Sequence, residues 1–440
     1  MTEYLSLILF TILFVLLLLG FPVAFTLGGV SVLFGLIFLD TAFFSLLPMR
    51  IFGIMNNYVL ISVPLFVFMG VMLERSGIAE RLLETMSLLM GRIKGGLAMS
   101  VVLVGAMLAA STGVVGATVV TMGLLSLPTM LKKGYSPELA TGTIASSGTL
   151  GQIIPPSVVL VLLGSTMNVS VGDLFTAAVI PGLALVVLYL IYIFVFALIK
   201  PKLAPSVSEE ELAIFRGKGL YKKIFTAFFL PMILIISVLG SIFFGIASPT
   251  EAAGVGAMVA TILTAIEGKL NYEVLKTVMK ETTYLTSMVF TILIGATAFG
   301  LIFRALGGDA MLIKVIQNAN LSPYAFLAFV MVGIFFAGFF IDFIEIIFIF
   351  IPVVTPIFVK MHIDLLWVAI LIAVNLQTSF LTPPFGFSLF YLKGVAPPEI
   401  TTGHLYRGII PFVLIQLFLL ILMIIFPEII SFLPNYLKEK

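Results

Sequence analysis

The chain has no cysteine, two histidines and one tryptophan in 440 residues, and only 10% of its residues are charged. Each shortage excludes something. Without cysteine there are no disulfides and no thiolate metal sites. His362 and His404 fall in expected loops and lack metal-ligand spacing. No Gly-x-x-x-x-Gly-Lys-Ser/Thr stretch occurs, so ATP hydrolysis by a P-loop is excluded, and Gly254-Val255-Gly256 lacks the third glycine and the strand of a dinucleotide fold. The net charge of +2 implies nothing about nucleic acid. What the chain has instead is apolar surface. It is 61% hydrophobic, its mean hydropathy is +1.25, and apolar runs of spanning length recur from end to end. That composition describes a polytopic α-helical membrane protein; barrel strands would be short and alternating. Glu3 replaces the basic start of a signal peptide and the apolar run continues through residue 19, so the first segment reads as a retained helix.

Two similar cassettes stand where prolines are least expected. Residues 148–157 read GTLGQIIPPS and residues 376–386 read LQTSFLTPPFG, both inside long apolar stretches. Pro128 precedes Pro155 by 27 residues and Pro356 precedes Pro383 by the same interval, so both pairs share an offset of 228. Pro22 and Pro249 lie 227 apart, and Gly77 and Gly307, then Pro181 and Pro411, lie 230 apart. A register held this closely marks a duplicated unit. Paired interrupted helices in corresponding halves are the sequence pointer to a transporter's binding site.

The expected crossings are 4–19, 22–39, 53–74, 138–168 (broken), 177–199, 226–246, 249–266, 283–303, 366–392 (broken) and 408–427. Segments 97–131 and 324–357 are each about 35 residues, roughly 50 Å as one helix, too short for two crossings and a turn. With small or polar residues at their centres they read as re-entrant hairpins, a backbone tolerated only in protein or along a cavity. If Arg75 is cytoplasmic, 17 of the basic residues fall on that side and 6 on the other, a positive-inside bias. Each half then makes five crossings and one hairpin, and an odd number inverts the second half. The expected domains are a first inverted repeat at 1–199, a cytoplasmic linker at 200–224 and a second inverted repeat at 225–440, with both termini outside. Residues 76–92 alternate apolar and charged positions at helical spacing, either an interfacial helix or a solvated connecting one. Residues 307–320 match them on the outer face.

A broken helix frees carbonyls and N–H groups that lipid cannot satisfy. Half-helix N-termini favour anions; freed carbonyls and C-terminal ends coordinate small cations. Before Pro155-Pro156 stand Ser146, Ser147, Gly148, Thr149 and Gly151, with Ser111, Thr112 and Gly113 expected opposite at the hairpin tip. This set suits an oxygen cage for Na⁺. Before Pro383-Pro384 stand Asn375, Gln377, Thr378, Ser379 and Thr382, with Gly338 and Asp342 opposite. By position, Pro155, Pro156, Ser157, Pro383, Pro384 and Gly386 are expected to meet the substrate. Simple proline kinks packed by small residues would also explain one such break, but poorly explain two in register. Asp342 and Glu345 would each cost roughly 2.5–3.5 kcal/mol at mid-membrane. Asp342 is expected in a structural or ion-site role, and Glu345 facing hydrated protein. Glu251 follows Ser248 and reads as a first-turn carboxylate complementing a helix dipole. Asn168-Val169-Ser170 matches a glycosylation sequon but is discounted.

The chain resembles the large membrane subunit of tripartite ATP-independent periplasmic (TRAP) transporters, the DctM-like permeases. The resemblance runs through GFPVAFTLG at 20–28, AASTGVVGATVVTMG at 109–123, SGTLGQIIPPS at 147–157, SVGDLF at 170–175 with IPG at 180–182, SPTEAAGVGA at 248–257 and LTPPFGFSLF at 381–390. It implies an all-α, inverted-repeat, elevator-type carrier of the bacterial inner membrane, with Na⁺ as coupling ion and no other cofactor. It also implies a small four-helix membrane subunit (DctQ-like) and a periplasmic substrate-binding protein (DctP-like). Carried over, the sodium sites fall at Ser111, Thr112 and Gly113 with Ser147, Gly148, Thr149 and Gly151, and at Gly338 and Asp342 with Thr378 and Thr382. The second tip departs from the pattern, with Phe339-Phe340-Ile341 where small or polar residues are usual. The cargo expected is an organic acid anion: a C4-dicarboxylate, a 2-oxo acid, to which Gly151-Gln152 and VLVLLG at 159–164 point, or a sugar acid. A channel would need pore-lining charges beyond Asp342 and Glu345. An intramembrane protease would need a Ser/His pair or paired Asp residues at depth. A stand-alone carrier is the rival within its class.

Overall fold

The computed structural model describes residues 4–40, 44–112, 115–207, 220–318 and 321–438. The acidic run of the linker, Glu209–Glu211, lies outside them. Within them the regular structure is all helical. In chain order the first half runs α1 Leu5–Leu18, α2 Val23–Phe38, α3 Leu46–Met55, α4 Ser62–Arg75, α5 Ile78–Leu89, α6 Gly96–Thr112, α7 Val115–Lys132, α8 Pro137–Thr149, α9 Val158–Met167 and α10 Val171–Ile199. The second runs α11 Leu220–Phe243, α12 Pro249–Ile266, α13 Tyr272–Ala305, α14 Gly308–Asn318, α15 Pro323–Ala337, α16 Phe343–Ile349, α17 Ile351–Lys360, α18 Leu365–Leu381, α19 Phe387–Val395, α20 Thr402–Ile425 and α21 Glu428–Lys438.

The long helices show why the hydropathy signal is unbroken. On α10, Leu183, Val187, Ile191, Phe194 and Leu198 form one exposed stripe, while Leu185, Tyr189, Ile193 and Ala197 form the buried one. Both faces are apolar because one meets protein and the other meets lipid. Among the described residues six helices are long and apolar enough to cross a membrane, Tyr58–Arg75, Val115–Lys132, Val171–Ile199, Pro249–Ile266, Tyr272–Ala305 and Thr402–Ile425. Phe343–Ile349 with Ile351–Lys360, bent by 50°, makes a seventh if counted as one span. The chain is therefore an all-helical, multi-span membrane protein.

Several boundaries differ from the sequence expectations. Ten crossings were expected; α1 and α2 are shorter helices of 14 and 16 residues, and the two Pro-Pro segments divide into pieces too short to pass alone. The expected crossing 53–74 starts only after a corner, where Asn57 caps a 3-10 turn at Tyr58–Ile61. Its counterpart α13 is a single helix of 34 residues beginning at Tyr272, well before the expected 283. In the segment expected as the first hairpin, α7 is by itself of spanning length; the bent α16–α17 pair lies in the second. His404 is not in a loop: it is the third residue of α20 and completes a capping box with Thr401.

The halves interlock. Helix α2 packs along α13, α4 along α12, and α8 along α20, each pair joining one half to the other. At the α8–α20 crossing a Cβ on Gly142 would lie 2.1 Å from the Gly408 carbonyl, and one on Gly408 would lie 2.2 Å from that of Glu138. Only glycine lets these backbones approach so closely. Tyr189 and Tyr192 of α10 each meet the Phe412 ring of α20 edge-on at 5.1 Å. At one end of this assembly Arg75 pairs with Glu281 at 2.5 Å and Arg81 pairs with Glu267.

Candidate functional site

Each Pro-Pro segment is prepared by a capped helix. Ser136 caps α8, its Oγ accepting from the Leu139 amide, and Asp364 caps α18 by accepting from the Leu366 amide. Helix α8 ends at Thr149, tightens into a 3-10 turn over Leu150–Gln152, and the chain passes Pro155-Pro156 before Ser157 starts α9. Ser157 Oγ donates to the Gln152 carbonyl at 2.8 Å and accepts from the Leu160 amide. Helix α18 ends at Leu381, and Gly386, at φ +44°, starts α19 without a side-chain cap. Both Pro-Pro bonds are cis.

The hydroxyls before the two breaks, among them the expected sodium ligands Ser147, Thr149, Thr378 and Thr382, make local bonds to the preceding turn. Ser146, Ser147 and Thr149 donate to the carbonyls of Thr143, Ile144 and Ser146 at 3.1, 3.0 and 2.9 Å. Thr378, Ser379 and Thr382 donate to those of Val374, Leu376 and Thr378 at 2.8, 2.8 and 2.7 Å. Their protons are thus occupied within the helix, which leaves oxygen lone pairs free to accept or to ligate.

Small residues press each break against its neighbouring helices. A Cβ on Gly105 would sit 2.6 Å from that of Ser147, one on Gly148 would sit 2.4 Å from Val119 Cγ2, and one on Gly151 would sit 2.8 Å from the Ala109 carbonyl oxygen. So Ser147, Gly148 and Gly151 are brought against α6 and α7, Pro155 lines an apolar space with Leu103, Ala106 and Met107 of α6, and Pro156 and Ser157 are buried. Ser111 and Thr112 are the last residues of α6, and Gly113 lies outside the described residues. In the second half a Cβ on Gly338 would lie 2.1 Å from Ser379 Oγ, and Asn375 donates to the Met331 carbonyl at 2.7 Å. Gly338 therefore meets Ser379 rather than Thr378 or Thr382. Asp342 caps α16: its Oδ1 accepts from the Phe343 amide at 2.6 Å, and Glu345 Oε2 accepts from the Asp342 amide at 3.3 Å. The two carboxylates satisfy backbone donors at the start of a seven-residue helix, as Glu251 does with Ser248 at α12.

The breaks also meet each other. Gln377 Nε2 donates to Thr149 Oγ1 at 3.4 Å across 228 positions, the same offset that relates the cassettes. Behind this contact Gln416 donates to the Tyr189 hydroxyl at 2.6 Å. Gln377 Oε1, Gln416 Oε1 and both amide ends of Gln152 are buried with no partner in the structure. Buried polar atoms in that state call for water or an ion. The Tyr189–Gln416 pair was not singled out from the sequence; polar residues in the apolar runs 177–199 and 408–427, and their separation of 227 positions, within the repeat offset, were the available signals. Among the described residues no group of three His, Cys, Asp or Glu could hold a metal.

Comparison with known proteins bears on what this arrangement is. Residues 10–429 match the family model described as the tripartite ATP-independent periplasmic transporter, DctM component. The C4-dicarboxylate TRAP transporter large permease protein DctM of Pseudomonas aeruginosa is 31% identical over 393 residues, 89% of this chain and 90% of that one. The ectoine/5-hydroxyectoine TRAP transporter large permease protein UehC of Ruegeria pomeroyi is 28% identical, covering 98% of this chain and 99% of its own. The Alcanivorax borkumensis YdaH transporter structure superposes with a TM-score of 0.62 at 15% identity over 97% of this chain and 99% of that one, a likeness of fold. The chain belongs to the DctM large permease family of TRAP transporters, and it is a transporter subunit rather than an enzyme.

Proposed function

We propose that this permease imports an organic acid anion with Na⁺, working with a DctQ-like small membrane subunit and a DctP-like periplasmic binding protein in a bacterial inner membrane. The observation that carries the reading is the contact between Thr149 and Gln377. Residues at equivalent positions of two related units touch only where their pseudo-symmetry axis passes. Two broken helices meeting on such an axis, with hydroxyl oxygens and small residues around them, have the form expected of a carrier's ion and substrate site. On this reading 1–199 and 225–440 are inverted repeats joined by 200–224, and both termini are periplasmic. Sodium is held by backbone and hydroxyl oxygens at Ser111–Gly113 with Ser147–Gly151, and at Gly338 and Asp342 with Thr378 and Thr382. The substrate meets Pro155–Ser157 and Pro383–Gly386. The unit that carries it past α2, α4, α12 and α13 contains α6–α9 and α15–α19, an elevator motion.

The cargo classes supported are C4-dicarboxylates, 2-oxo acids and sugar acids; the relatives' differing named cargoes at similar identity leave the class to be found by assay. Proteoliposomes containing this chain and its small partner, supplied with binding protein and a panel of labelled acids, test the reading. Concentrative uptake requiring both inward Na⁺ and the binding protein is expected. Uptake that merely equilibrates would overturn it in favour of a channel, and concentrative uptake without the binding protein would favour a stand-alone carrier.

A further inference from the structure

We propose that the chain holds a second, separate carboxylate site in a polar cavity between α3, α9 and α13, where Arg50 and Arg304 receive the anion. The carrier reading supplies its biological use, and the cavity itself is argued from geometry. Its volume is about 610 Å³, in the range of small-molecule sites. Arg50, Asn57, Ser165, Thr166, Asn168, Thr297 and Arg304 are its polar lining, and no carboxylate is among the lining residues. Two arginines line one space whose own lining holds no acid, the nearest being Asp309 in an adjoining space beside Arg304, and a guanidinium's donor fork fits a carboxylate in bidentate fashion.

Matched positions sharpen the point. Arg75 ends α4 and Arg304 stands in the last turn of α13, 229 residues apart. Arg75 is paired with Glu281 at 2.5 Å. Among the described residues Arg304 and Arg50 form no salt bridge. Arg304 complements its own helix dipole, but that does not require a second arginine in the same cavity. Its Nη2 lies 3.5 Å from where a Cβ on Gly300 would be, so the guanidinium folds back along α13 beside the cavity. Asp309 shares a smaller adjoining space with Arg304; burial raises its carboxyl above the usual range, against the pull of Arg304. The opposite wall is fixed, because Asn57 Nδ2 donates to Ser165 Oγ at 2.9 Å while its Oδ1 accepts from the Val59 amide.

The position suggests the use. Helix α9 runs ten residues from Ser157 at the first break to Asn168 in the cavity wall, about 15 Å at 1.5 Å per residue. An anion arriving at that end would be held by the arginines one helix-length from the breaks, at the end that the charge distribution assigns to the periplasm.

The test is arginine modification by phenylglyoxal, read by peptide mass spectrometry on the full chain with its small partner in nanodiscs. Succinate, pyruvate or gluconate should slow modification of Arg50 and Arg304 by about tenfold relative to chloride, with Arg92 and Arg407 unaffected. In proteoliposomes R50Q and R304Q should each raise the KM of uptake by about tenfold with sodium dependence unchanged. Equal modification rates in carboxylate and chloride would overturn the proposal. So would protection given only by the binding protein, which would make an acidic side chain of that partner the occupant. Labelling is read on the wild-type chain and without transport. A wild-type chain silent in uptake but protected by carboxylate would sink the carrier reading alone, and normal uptake without protection would sink the cavity alone.

Discussion

Residues 150–157 and 382–386 occupy matching places in the two halves, and they differ in what surrounds them. In the first, Leu150–Ile153 and Pro155–Ser157 are buried, and Gly148 and Gly151 press against the backbone of α7 and α6. In the second, Pro384 is exposed and Phe385 is 58% exposed, while Tyr406 at the start of α20 donates to the Pro384 carbonyl. One duplicated motif is thus sealed by protein and its counterpart is open. A symmetric pair would need no change of state to be equally reachable from both sides. The asymmetry bears on the proposed carrier motion only if the two breaks exchange these environments, which the accessibility measurement below reads.

The largest effect expected from this contrast is on folding. Gly148→Leu would drive a side chain into Val119, whose Cα lies 3.1 Å from the added Cβ, and should cost about 3 kcal/mol. Phe385→Ala, at the open break, should stay within about 0.5 kcal/mol. Melting of the two variants in detergent checks this, and equal tolerance would break the comparison. Next comes accessibility, which the cysteine-free chain makes clean to measure. Phe385→Cys should react with a maleimide about tenfold faster than Ser157→Cys, following exposure. Sodium with substrate should narrow the ratio if the two breaks exchange environments; a ratio indifferent to both ligands would make the asymmetry fixed architecture.

A smaller effect is expected at the proposed ion sites. Thr149→Val and Asp342→Ala should each weaken Na⁺ activation of uptake by about tenfold, the loss of one ligand or its support. Thr149→Val also removes the acceptor of Gln377. Unchanged sodium dependence in both variants would remove the sodium assignment while leaving the breaks in place.

How much of this was legible depended on whether the signal was local. Pro-Pro inside an apolar run marks a break wherever it occurs, so 148–157 and 376–386 were readable, as was the Ser248–Glu251 cap. The start of α13 was not, because Glu273, Lys276, Lys280 and Glu281 look like a loop to a hydropathy window although they continue the same helix. His404 was misplaced because a histidine at the third helical position completing a capping box is rare beside the usual Glu. The corner at Asn56-Asn57 was hidden inside the apolar run that follows it. The pairing of Tyr189 with Gln416, and the shared cavity of Arg50 and Arg304, join residues more than two hundred positions apart. The first pair stands 227 apart, within the 227–230 range of the matched positions, so the register could have pointed to it; no register relates Arg50 to Arg304, and that site appears only when the halves are packed together.

The least costly contrast lies in how the two breaks restart their helices. Ser157 begins α9 with a side-chain cap, whereas Gly386 begins α19 through a left-handed backbone and no cap. Ser157→Ala should therefore cost about 1 kcal/mol by leaving helix-start amides unpartnered. Gly386→Ala should cost about as much, at least 1 kcal/mol, because its φ of +44° is unfavourable for a side chain. The rescues differ. Asn at 157 should restore α9 by accepting as serine does, while Asn at 386 should recover part of the loss because it tolerates the left-handed region. Melting temperatures of the four variants, measured in one detergent, separate the two mechanisms. If alanine at 386 were harmless, the second break would restart by a route other than its glycine, and the matching of the two cassettes would end at their prolines.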